Sequence, residues 1–436
     1  MKNRFRVGRL CSMLMLAWLP AFVLHAEAAS SQGELRLVIV LSRHGVRSPT
    51  SEPARLNVYS RDAWPVWPVP PGYLTPRGKQ LMTIMGRWYR THYAQAGLLP
   101  ATGCMASSLD VVADDEQRTM ESARGLMDGF DPQCAVTISA APRKGADALF
   151  AHDVSGVSDA IRTQAQAALL GRIGGDVTRM TTANAGLIEQ MQGVLMDCAP
   201  GQCSAGKTPG KKWLMDQPAS VEPGEGDELL TIKSPLRSAS TLAEDFYLEY
   251  VEGMPMSSVA WGRVAPTQLG QLLALHSIYT DTTLHTPVAA RAYASLLAIR
   301  VLATLQQAAD SMQNANAVGG VHTKIVFLIG HDTNIETLAG LLKLHWLLPE
   351  QPADPTSVGG ALVFELRYHR DGNRYEVSAY YVSQSMQQMR ASAVLDVAHA
   401  PLTAPIFIPG CSTSVPGYPC SLSQFATALT QAVRPN

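Results

Sequence analysis

The feature that most constrains this chain is a short apolar run that ends in a basic motif. Residues Leu37 to Leu41, with the sequence Leu-Val-Ile-Val-Leu, are typical of a fully buried strand. The motif Arg-His-Gly-Val-Arg-Ser-Pro-Thr follows from Arg43 to Thr50. In open α/β sheets, ligands bind beyond the carboxyl ends of the strands. The sequence therefore predicts a ligand site where this strand passes into a loop.

The residue types in the motif favour phosphate chemistry. Arg43 and Arg47 flank His44, and a guanidinium offers a rigid fork of donors that fits phosphate oxygens. A neutral histidine between them can act as a nucleophile toward the group that they hold. We expect Gly45 to let the backbone approach a ligand closely. The alternative is an ordinary loop with surface arginines.

Two further strands end in polar residues of the same kind. The run Leu109 to Val112 reads as a strand, and Arg118 lies just before a predicted helix over 120–127. As a single arginine it could equally form a surface salt bridge. The run Lys324 to Gly330 reads as a buried strand that leads directly into His331 and Asp332. We expect the three strands to lie side by side with their carboxyl ends aligned.

Together these motifs resemble the histidine acid phosphatases (branch 2), the family that includes bacterial periplasmic phytases and glucose-1-phosphatases. The resemblance extends from the first strand to Cys420 and includes the Leu-Thr-Pro-Arg-Gly segment that starts at Leu74. It implies an α/β fold, a phosphoglycerate-mutase-like sheet flanked by helices with a smaller inserted α-helical domain. We assign residues 29–155 and 282–436 to the α/β catalytic domain and residues 156–281 to the α-helical domain.

The resemblance also implies roles for individual residues. His44 would attack phosphorus to give a phosphohistidine, and Asp332 would protonate the leaving oxygen. Substrate-binding roles are implied for Arg43, Arg47, Thr50, Arg118, His331 and Glu244. Glu244 could instead be a solvated carboxylate on a helix. The resemblance implies no metal and no other cofactor.

The implied substrate is a small phosphate ester. Phytate is the preferred interpretation because His331-Asp332-Thr333 looks more like the phytases, and glucose-1-phosphate or another sugar phosphate is the alternative. Against phytate, Ser51 and Tyr293 stand where phytases often carry a cation, and fewer cations in the pocket should weaken the capture of an ester with several phosphates. The preferred interpretation remains a phytase or a broad acid phosphatase that acts on phytate. Three rival classes are a phosphoglycerate-mutase-like phosphotransferase, a noncatalytic periplasmic phosphate-ester binding protein and a metal-dependent hydrolase.

The amino terminus is typical of a secretory signal peptide. Four basic residues precede an apolar stretch from Leu10 to Leu24, and Ala26-Glu27-Ala28 offers a cleavage site. We therefore assign residues 1–28 to a signal peptide and expect export to the periplasm, with a retained membrane anchor as the alternative. The net charge of −1 shows no basic excess, so nucleic acid is not an expected partner. We expect a monomer.

Cysteine count and loop composition give two further expectations. Loss of Cys11 with the signal peptide leaves six of seven cysteines, and an even number in an exported chain indicates disulfides. The sequence alone does not choose among the pairings, but nearness favours Cys104–Cys134, Cys198–Cys203 and Cys411–Cys420. Residues 63–71, rich in proline and tryptophan, are expected to form either an ordered lip over the site or a packing loop. Residues 198–226 are expected to be an exposed loop.

Overall fold

A computed structural model describes residues 33–141, 149–150, 154, 156–199, 202–203, 209–226 and 228–434. The predicted signal peptide and Cys11 lie outside the described residues. The described strands are β1 (Glu34–Arg43), β2 (Leu109–Asp114), β3 (Ile138–Ala141), β4 (Ser220–Pro223), β5 (Leu230–Lys233), β6 (Ile325–Gly330), β7 (Ala361–His369), β8 (Arg374–Ser383), β9 (Leu402–Ile406) and β10 (Cys420–Ser421).

Twelve α-helices fall within the described ranges. They are α1 (Pro53–Leu56), α2 (Pro76–Gln95), α3 (Gln117–Phe130), α4 (Asp159–Arg172), α5 (Thr178–Thr182), α6 (Ala185–Met196), α7 (Pro235–Val251), α8 (Pro266–Leu284), α9 (Pro287–Asp310), α10 (Asp332–Leu342), α11 (Met386–Ala391) and α12 (Leu422–Val433). The helix predicted over 120–127 is longer at both ends and runs from Gln117 to Phe130.

The main sheet places the three predicted strands side by side. Its order is β10-β8-β7-β1-β6-β2-β3, with β9 paired to β8. Strands β1, β6, β2 and β3 are parallel to one another, whereas β7 pairs antiparallel with β1. The register sets Arg43 opposite Gly330, and Ala113 opposite Ile329. The carboxyl ends of β1, β6 and β2 therefore meet at one edge, as the sequence predicts.

The central strand is buried on both faces because helices cover both sides of the sheet. Val38 and Val40 of β1 share a core with side chains of α2 and α3, whereas Leu37, Ile39 and Leu41 share a second core with α9, α10 and α12. The five residues are all at most 1% exposed. Full burial of one such side chain contributes about 1.5–3 kcal/mol, so this strand is a rigid base for the motif that follows it.

The loop after β1 is held against the start of α2 by two glycines. Thr75 caps α2 by accepting from the backbone N–H of Gly78, and Pro76 occupies the first turn. A Cβ on Gly45 would lie 2.9 Å from the carbonyl oxygen of Gly78, and one on Gly78 would lie 2.2 Å from that of Val46. The expectation that Gly45 serves ligand approach is therefore corrected, because the close contact is with helix α2.

The segment over 156–281 contains helices α4 to α7 and most of α8, together with the β4–β5 hairpin. Buried residues of α6, α7 and α8 belong to the same core that contains Val38 and Val40. The division into an α/β domain and a domain over 156–281 stays a prediction. The expected loop over 198–226 is wrong in part, because Ser220–Pro223 pairs antiparallel with Leu230–Lys233.

Three disulfides join the cysteines as nearness in the sequence suggests: Cys104–Cys134, Cys198–Cys203 and Cys411–Cys420. Among the described helices, α9 is the one whose length and apolar composition would allow it to cross a membrane. Its Leu297, Val301 and Leu305 pack in the core with Leu37 and Ile39 of β1, the arrangement of a core helix.

Candidate active site

The site lies at the sheet edge where β1, β6 and β2 end. Arg43 is the last residue of β1, His331 follows the last residue of β6, and Asp114 is the last residue of β2. His44 continues the sheet for one more residue, because its backbone N–H donates to the carbonyl of Gly330 at 2.9 Å. Sheet register therefore brings these side chains together from three distant parts of the chain.

His44 is 2% exposed, and its ring orientation is fixed by the chain itself. Its Nδ1 lies 2.8 Å from the carbonyl oxygen of Gly45. A carbonyl only accepts, so we assign the proton to Nδ1 and the lone pair to Nε2. Burial, followed by the positive charge of Arg43 and Arg118, holds the pKa of His44 well below its ordinary value. The imidazole therefore stays neutral to lower pH than an ordinary histidine does.

Arg43 and Arg47 share one buried carboxylate. Glu244, from the middle of α7, accepts from Arg47 at 3.0 Å through Oε2 and from Arg43 through Oε1. Burial raises the pKa of Glu244, but Arg43 and Arg47 lower it further, and the net pKa is well below the ordinary value. Glu244 is 6% exposed. The alternative of a solvated helix carboxylate is therefore wrong for this residue.

Arg118, in the first turn of α3, faces the same centre from the β2 side. One of its guanidinium nitrogens lies 3.3 Å from Nδ1 of His331, and another pairs with Glu116. The Nε2 of His331 lies 2.6 Å from Oδ2 of Asp114, and the ring centroids of His331 and His44 are 5.5 Å apart. The carboxylate thus fixes Nε2 as the protonated nitrogen and turns Nδ1 toward the site.

Asp332 begins helix α10 and lies beside Arg43. Its Oδ1 accepts from the backbone N–H of Thr333 at 2.8 Å, and its Oδ2 lies 3.0 Å from Arg43. Burial raises the pKa of Asp332, but Arg43 lowers it further, so that the pKa lies below its ordinary value. Its side chain is 19% exposed, whereas that of Arg43 is 2% exposed, so Asp332 lies nearer the surface.

Thr50 lies at the exposed rim of this centre. A Cβ built on Gly72 would lie 3.7 Å from both Thr50 Cγ2 and a guanidinium nitrogen of Arg118, so the three residues are neighbours. Trp64 is the buried residue of the Pro- and Trp-rich segment over 63–71. Trp64 is 4% exposed, and its ring stacks on Phe246 with centroids 5.0 Å apart. The packing alternative therefore describes Trp64.

Sequence analysis assigned no role to several residues that the structure places at this centre. Asp114 orients His331, Ser122 accepts from the backbone N–H of Gly45 at 2.8 Å, and His276 lies 3.8 Å from Asp332. Asp114 carried a usable signal, because it ends a buried strand four residues before Arg118. His276 carried none, since a single histidine on an amphipathic helix is common.

Two groups of potential metal ligands lie in the described part of the site. They are Asp114, Glu116 and His331, and Glu244, His276 and Asp332. In both groups a guanidinium already neutralises the carboxylates: Arg118 pairs with Glu116, and Arg43 pairs with Glu244 and Asp332. A divalent cation at either place would be repelled by that guanidinium. The expectation of a site without a metal stays a prediction.

Comparison with known proteins identifies the family. Residues 34–172 match the model of the histidine phosphatase superfamily (branch 2). The chain is 31% identical to Phytase AppA of Escherichia coli (strain K12) over 409 residues, which cover 93% of this chain and 94% of that protein. It is also 27% identical to a glucose-1-phosphatase of Salmonella typhimurium, over 94% of this chain and 95% of that protein.

Comparison with solved structures identifies the same family. The apo form of Hafnia alvei phytase superposes with a TM-score of 0.81 at 32% identity, covering 92% of this chain and 97% of that chain. The phytase from Citrobacter braakii gives 0.80 at 29% identity, covering 92% and 98%. The chain therefore belongs to the histidine phosphatase superfamily, branch 2, and is a phosphatase. The predicted family, the α/β fold and the enzyme class are confirmed.

Proposed function

We propose that the protein hydrolyses phosphomonoesters through a phosphohistidine formed on His44. The observation that carries the proposal is the buried, neutral imidazole whose Nδ1 is held by the Gly45 carbonyl and whose surroundings are guanidinium groups. This arrangement leaves Nε2 as the nucleophile at a pH where an unperturbed histidine would be protonated. The neighbouring positive charges attract a phosphate ester to that nitrogen.

Arg43, Arg47 and Arg118 are proposed to hold the phosphoryl oxygens, with Thr50 as a hydroxyl donor at the rim. In the free enzyme, Glu244 holds Arg43 and Arg47 in place. His331 would contribute Nδ1 to the same centre, since Nε2 is occupied by Asp114. Phosphoryl transfer depends mainly on positioning and on neutralising charge at these oxygens, which this set of groups can do.

Asp332 is proposed as the proton donor. In the first step the bond between His44 Nε2 and phosphorus forms, the ester P–O bond breaks, and Asp332 gives its proton to the leaving oxygen. In the second step Asp332 takes a proton from water, the oxygen of that water attacks phosphorus, and the P–N bond breaks to release inorganic phosphate. A bound phosphoryl group competes for the charge of Arg43, which raises the pKa of Asp332 and allows it to be protonated in the complex.

Phytate is the proposed substrate. The support is the similarity to Phytase AppA and to phytase structures, together with His331-Asp332-Thr333. Glucose-1-phosphate is the second candidate, because two relatives at 27% and 28% identity are glucose-1-phosphatases. Comparing kcat/KM for phytate, glucose-1-phosphate and 4-nitrophenyl phosphate decides between them. A value for glucose-1-phosphate well above the other two would overturn the phytate assignment.

The phosphohistidine is tested by trapping. We expect rapid acid quench of the wild-type enzyme with labelled substrate to yield one phosphohistidine, located at His44 by peptide mass spectrometry. His44→Ala should lose both the label and turnover, whereas the exposed control His399→Ala should retain both. Label on another residue, or substantial turnover by His44→Ala, would exclude His44 as the nucleophile.

We further propose that the enzyme is exported to the periplasm and acts as a monomer. Disulfides persist in oxidising compartments, and three are present among the described residues. The mass of the mature protein recovered from a periplasmic extract tests cleavage after residue 28. A full-length, membrane-retained product would contradict it.

A further inference from the structure

A buried carboxylate beside the active site has no role in the reaction described above. Glu336, in the second turn of α10, is 1% exposed. Its Oε1 accepts from the hydroxyl of Thr356 at 3.1 Å and from that of Thr280 at 3.4 Å. Its Oε2 lies 2.8 Å from Nε2 of His285. Removing a carboxylate from water is unfavourable unless partners compensate, and the fold supplies three specific partners here.

The charge of Glu336 is compensated by a chain of ionic pairs that leads to the surface. Nδ1 of His285 lies 3.2 Å from Asp281, and Asp281 accepts from Arg172 at 2.8 and 2.9 Å. Burial lowers the pKa of His285, but its hydrogen bonds to Asp281 and Glu336 outweigh this effect and raise the pKa to about 9. A cation therefore lies directly against the buried carboxylate at neutral and acidic pH.

Close packing of α10 against the end of α8 allows this contact. Gly340 lies one turn after Glu336, on the same face of α10. A Cβ built on Gly340 would lie 2.7 Å from Cα of His285. Any larger residue at this position would therefore separate His285 from Glu336.

Thr356 connects Glu336 to the active site. Its hydroxyl donates to Glu336, while its backbone carbonyl accepts from Nη1 of Arg43 at 2.7 Å. The other terminal nitrogen of Arg43, Nη2, faces Glu244 and Asp332. Because a guanidinium is a planar fork, the carbonyl of Thr356 fixes its orientation and determines which N–H groups remain for a phosphoryl oxygen.

The segment after Thr356 also contacts the backbone of the catalytic motif. The N–H of Gly359 donates to the carbonyl of His44 at 2.9 Å, and the N–H of Arg43 donates to the carbonyl of Gly360 at 2.9 Å. This segment lies between α10 and β7 and belongs to neither a helix nor a strand. Its position therefore depends on anchors such as the hydroxyl of Thr356.

We propose that Glu336 is a positioning residue for the reaction: through the hydroxyl of Thr356 it fixes the carbonyl that orients Arg43. The proposal rests on the proposed function, in which Arg43 holds a phosphoryl oxygen. A Glu336 that only joined α10 to α8 would contribute to stability and would leave the affinity of the folded enzyme for phosphate unchanged. Orientation of Arg43 instead predicts that this affinity changes.

The test uses Thr356→Val, which removes the hydroxyl and keeps the branched side chain and the backbone carbonyl. Thr304→Val is the matched control, because Thr304 is 2% exposed and its hydroxyl donates at 2.7 Å to a carbonyl of its own helix, α9. The probe is inorganic phosphate, measured as an inhibitor of 4-nitrophenyl phosphate hydrolysis. Partial unfolding removes active molecules and lowers the apparent kcat, but it does not change an inhibition constant.

We expect the inhibition constant of phosphate to rise about fivefold in Thr356→Val, the effect of losing one hydrogen bond of ordinary strength, and to stay within about twofold in the control. Glu336→Leu should match Thr356→Val. Glu336→Gln should keep the wild-type constant, since an amide can still hydrogen-bond the hydroxyl. The double variant Thr356→Val/Glu336→Leu should show no further rise, because both changes break the same contact.

An unchanged inhibition constant in Thr356→Val would overturn the proposal, and this variant decides the matter alone if Glu336→Leu does not fold. A rise in Glu336→Gln as large as that in Thr356→Val would also overturn it, because the charge and not the hydrogen bond would then be responsible. Additive rises in the double variant would show that the two residues act separately, which is equally incompatible with the proposal.

Failure of the proposed function has a different signature. A wild-type protein that does not hydrolyse 4-nitrophenyl phosphate would contradict the proposed function. The affinities of Thr356→Val and Thr304→Val for inorganic phosphate would then be compared by calorimetry, and equal affinities would overturn the positioning role of Glu336 by itself.

Discussion

Glu249 is a buried carboxyl group whose replacement should stabilise the protein in a pH-dependent way. It lies in α7, is fully buried, and accepts one hydrogen bond at 2.8 Å from the backbone N–H of Ala260. No donor among the described residues reaches its other oxygen. Burial raises its pKa from the ordinary 4.5 to about 8. The folded protein therefore keeps a proton that the unfolded chain releases near pH 4.5.

The direction of the effect follows from this difference. Because the folded pKa of Glu249 is raised, its ionisation destabilises the fold as pH rises from about 4.5 to about 8. At pH 7.5 the loss amounts to about 4 kcal/mol, and at pH 4 it is under about 0.5 kcal/mol. In Glu249→Gln the side-chain oxygen can still accept from Ala260 and no charge can form. We therefore expect a gain of up to about 4 kcal/mol at pH 7.5 and almost none at pH 4.

The assay is urea unfolding with the disulfides intact, followed by tryptophan fluorescence at both pH values. Glu189→Gln, an exposed change on α6, is the control and should leave the free energy of unfolding unchanged at both. A change in stability that is the same at pH 4 and pH 7.5, or a loss at pH 7.5, would refute the reasoning.

Three further outcomes are expected. Asp332→Asn should lower kcat about 10²–10⁴-fold for an alkyl phosphate and much less for 4-nitrophenyl phosphate, whose leaving oxygen needs little protonation; equal losses in steady-state assays would count against the role of proton donor. Glu244 raises the pKa of Asp332, so in Glu244→Gln the alkaline limb of the kcat profile should move to lower pH, and an unmoved limb would contradict this coupling. Replacing Cys104 and Cys134 by serine opens a loop with a sequence separation of 30 and should lower the free energy of unfolding by about 2–4 kcal/mol, measured by urea unfolding; an unchanged midpoint would argue against that contribution.

The strand ends could be predicted from the sequence because each combines two independent local signals. An apolar run predicts a buried strand, and a polar motif directly after it predicts a site at the strand end. Arg43 and His331 satisfy both conditions, and the sheet register places them together. Arg118 satisfied them less clearly, since it lies within the following helix, yet it reaches Nδ1 of His331.

The partners of Glu244 could not be predicted from residue patterns alone. It is separated from Arg43 by 201 residues and from Arg47 by 197, and nothing in the local pattern of α7 distinguishes it from Glu249. Only the packing of α7 against the sheet decides which carboxyl faces the guanidinium groups.

The glycine in the motif shows how a correct feature can receive the wrong physical reason. Gly45 is required, but its missing Cβ makes room for the backbone of α2 and not for a ligand. A glycine in a motif indicates that a side chain does not fit at that position. It does not show which neighbouring group excludes the side chain. The contact between Gly45 and Gly78 decides that, and it follows from tertiary packing.

Because of its buried titratable groups, we expect the protein to be most stable and most active below pH 7. The pKa of Asp245 is raised by burial to about 7. Burial lowers the pKa of His285, but the hydrogen bonds that its ring donates to Asp281 and Glu336 outweigh this effect and raise it to about 9. Both groups hold a proton in the folded state, so their contribution to stability is present at low pH and is lost as pH rises through these values.

The opposite limit is set by carboxylates whose pKa is lowered. Glu244 and Asp332 are held ionised by Arg43, so stability falls when they are protonated below about pH 4. Stability should therefore be greatest at about pH 4 to 5, because Glu249 and Asp245 lower it progressively at higher pH. In the same range His44 stays neutral, because its pKa is held low, while a bound phosphoryl group allows Asp332 to take up a proton. Nucleophile and proton donor can thus be in their active forms together only on the acidic side, where the fold is also most stable.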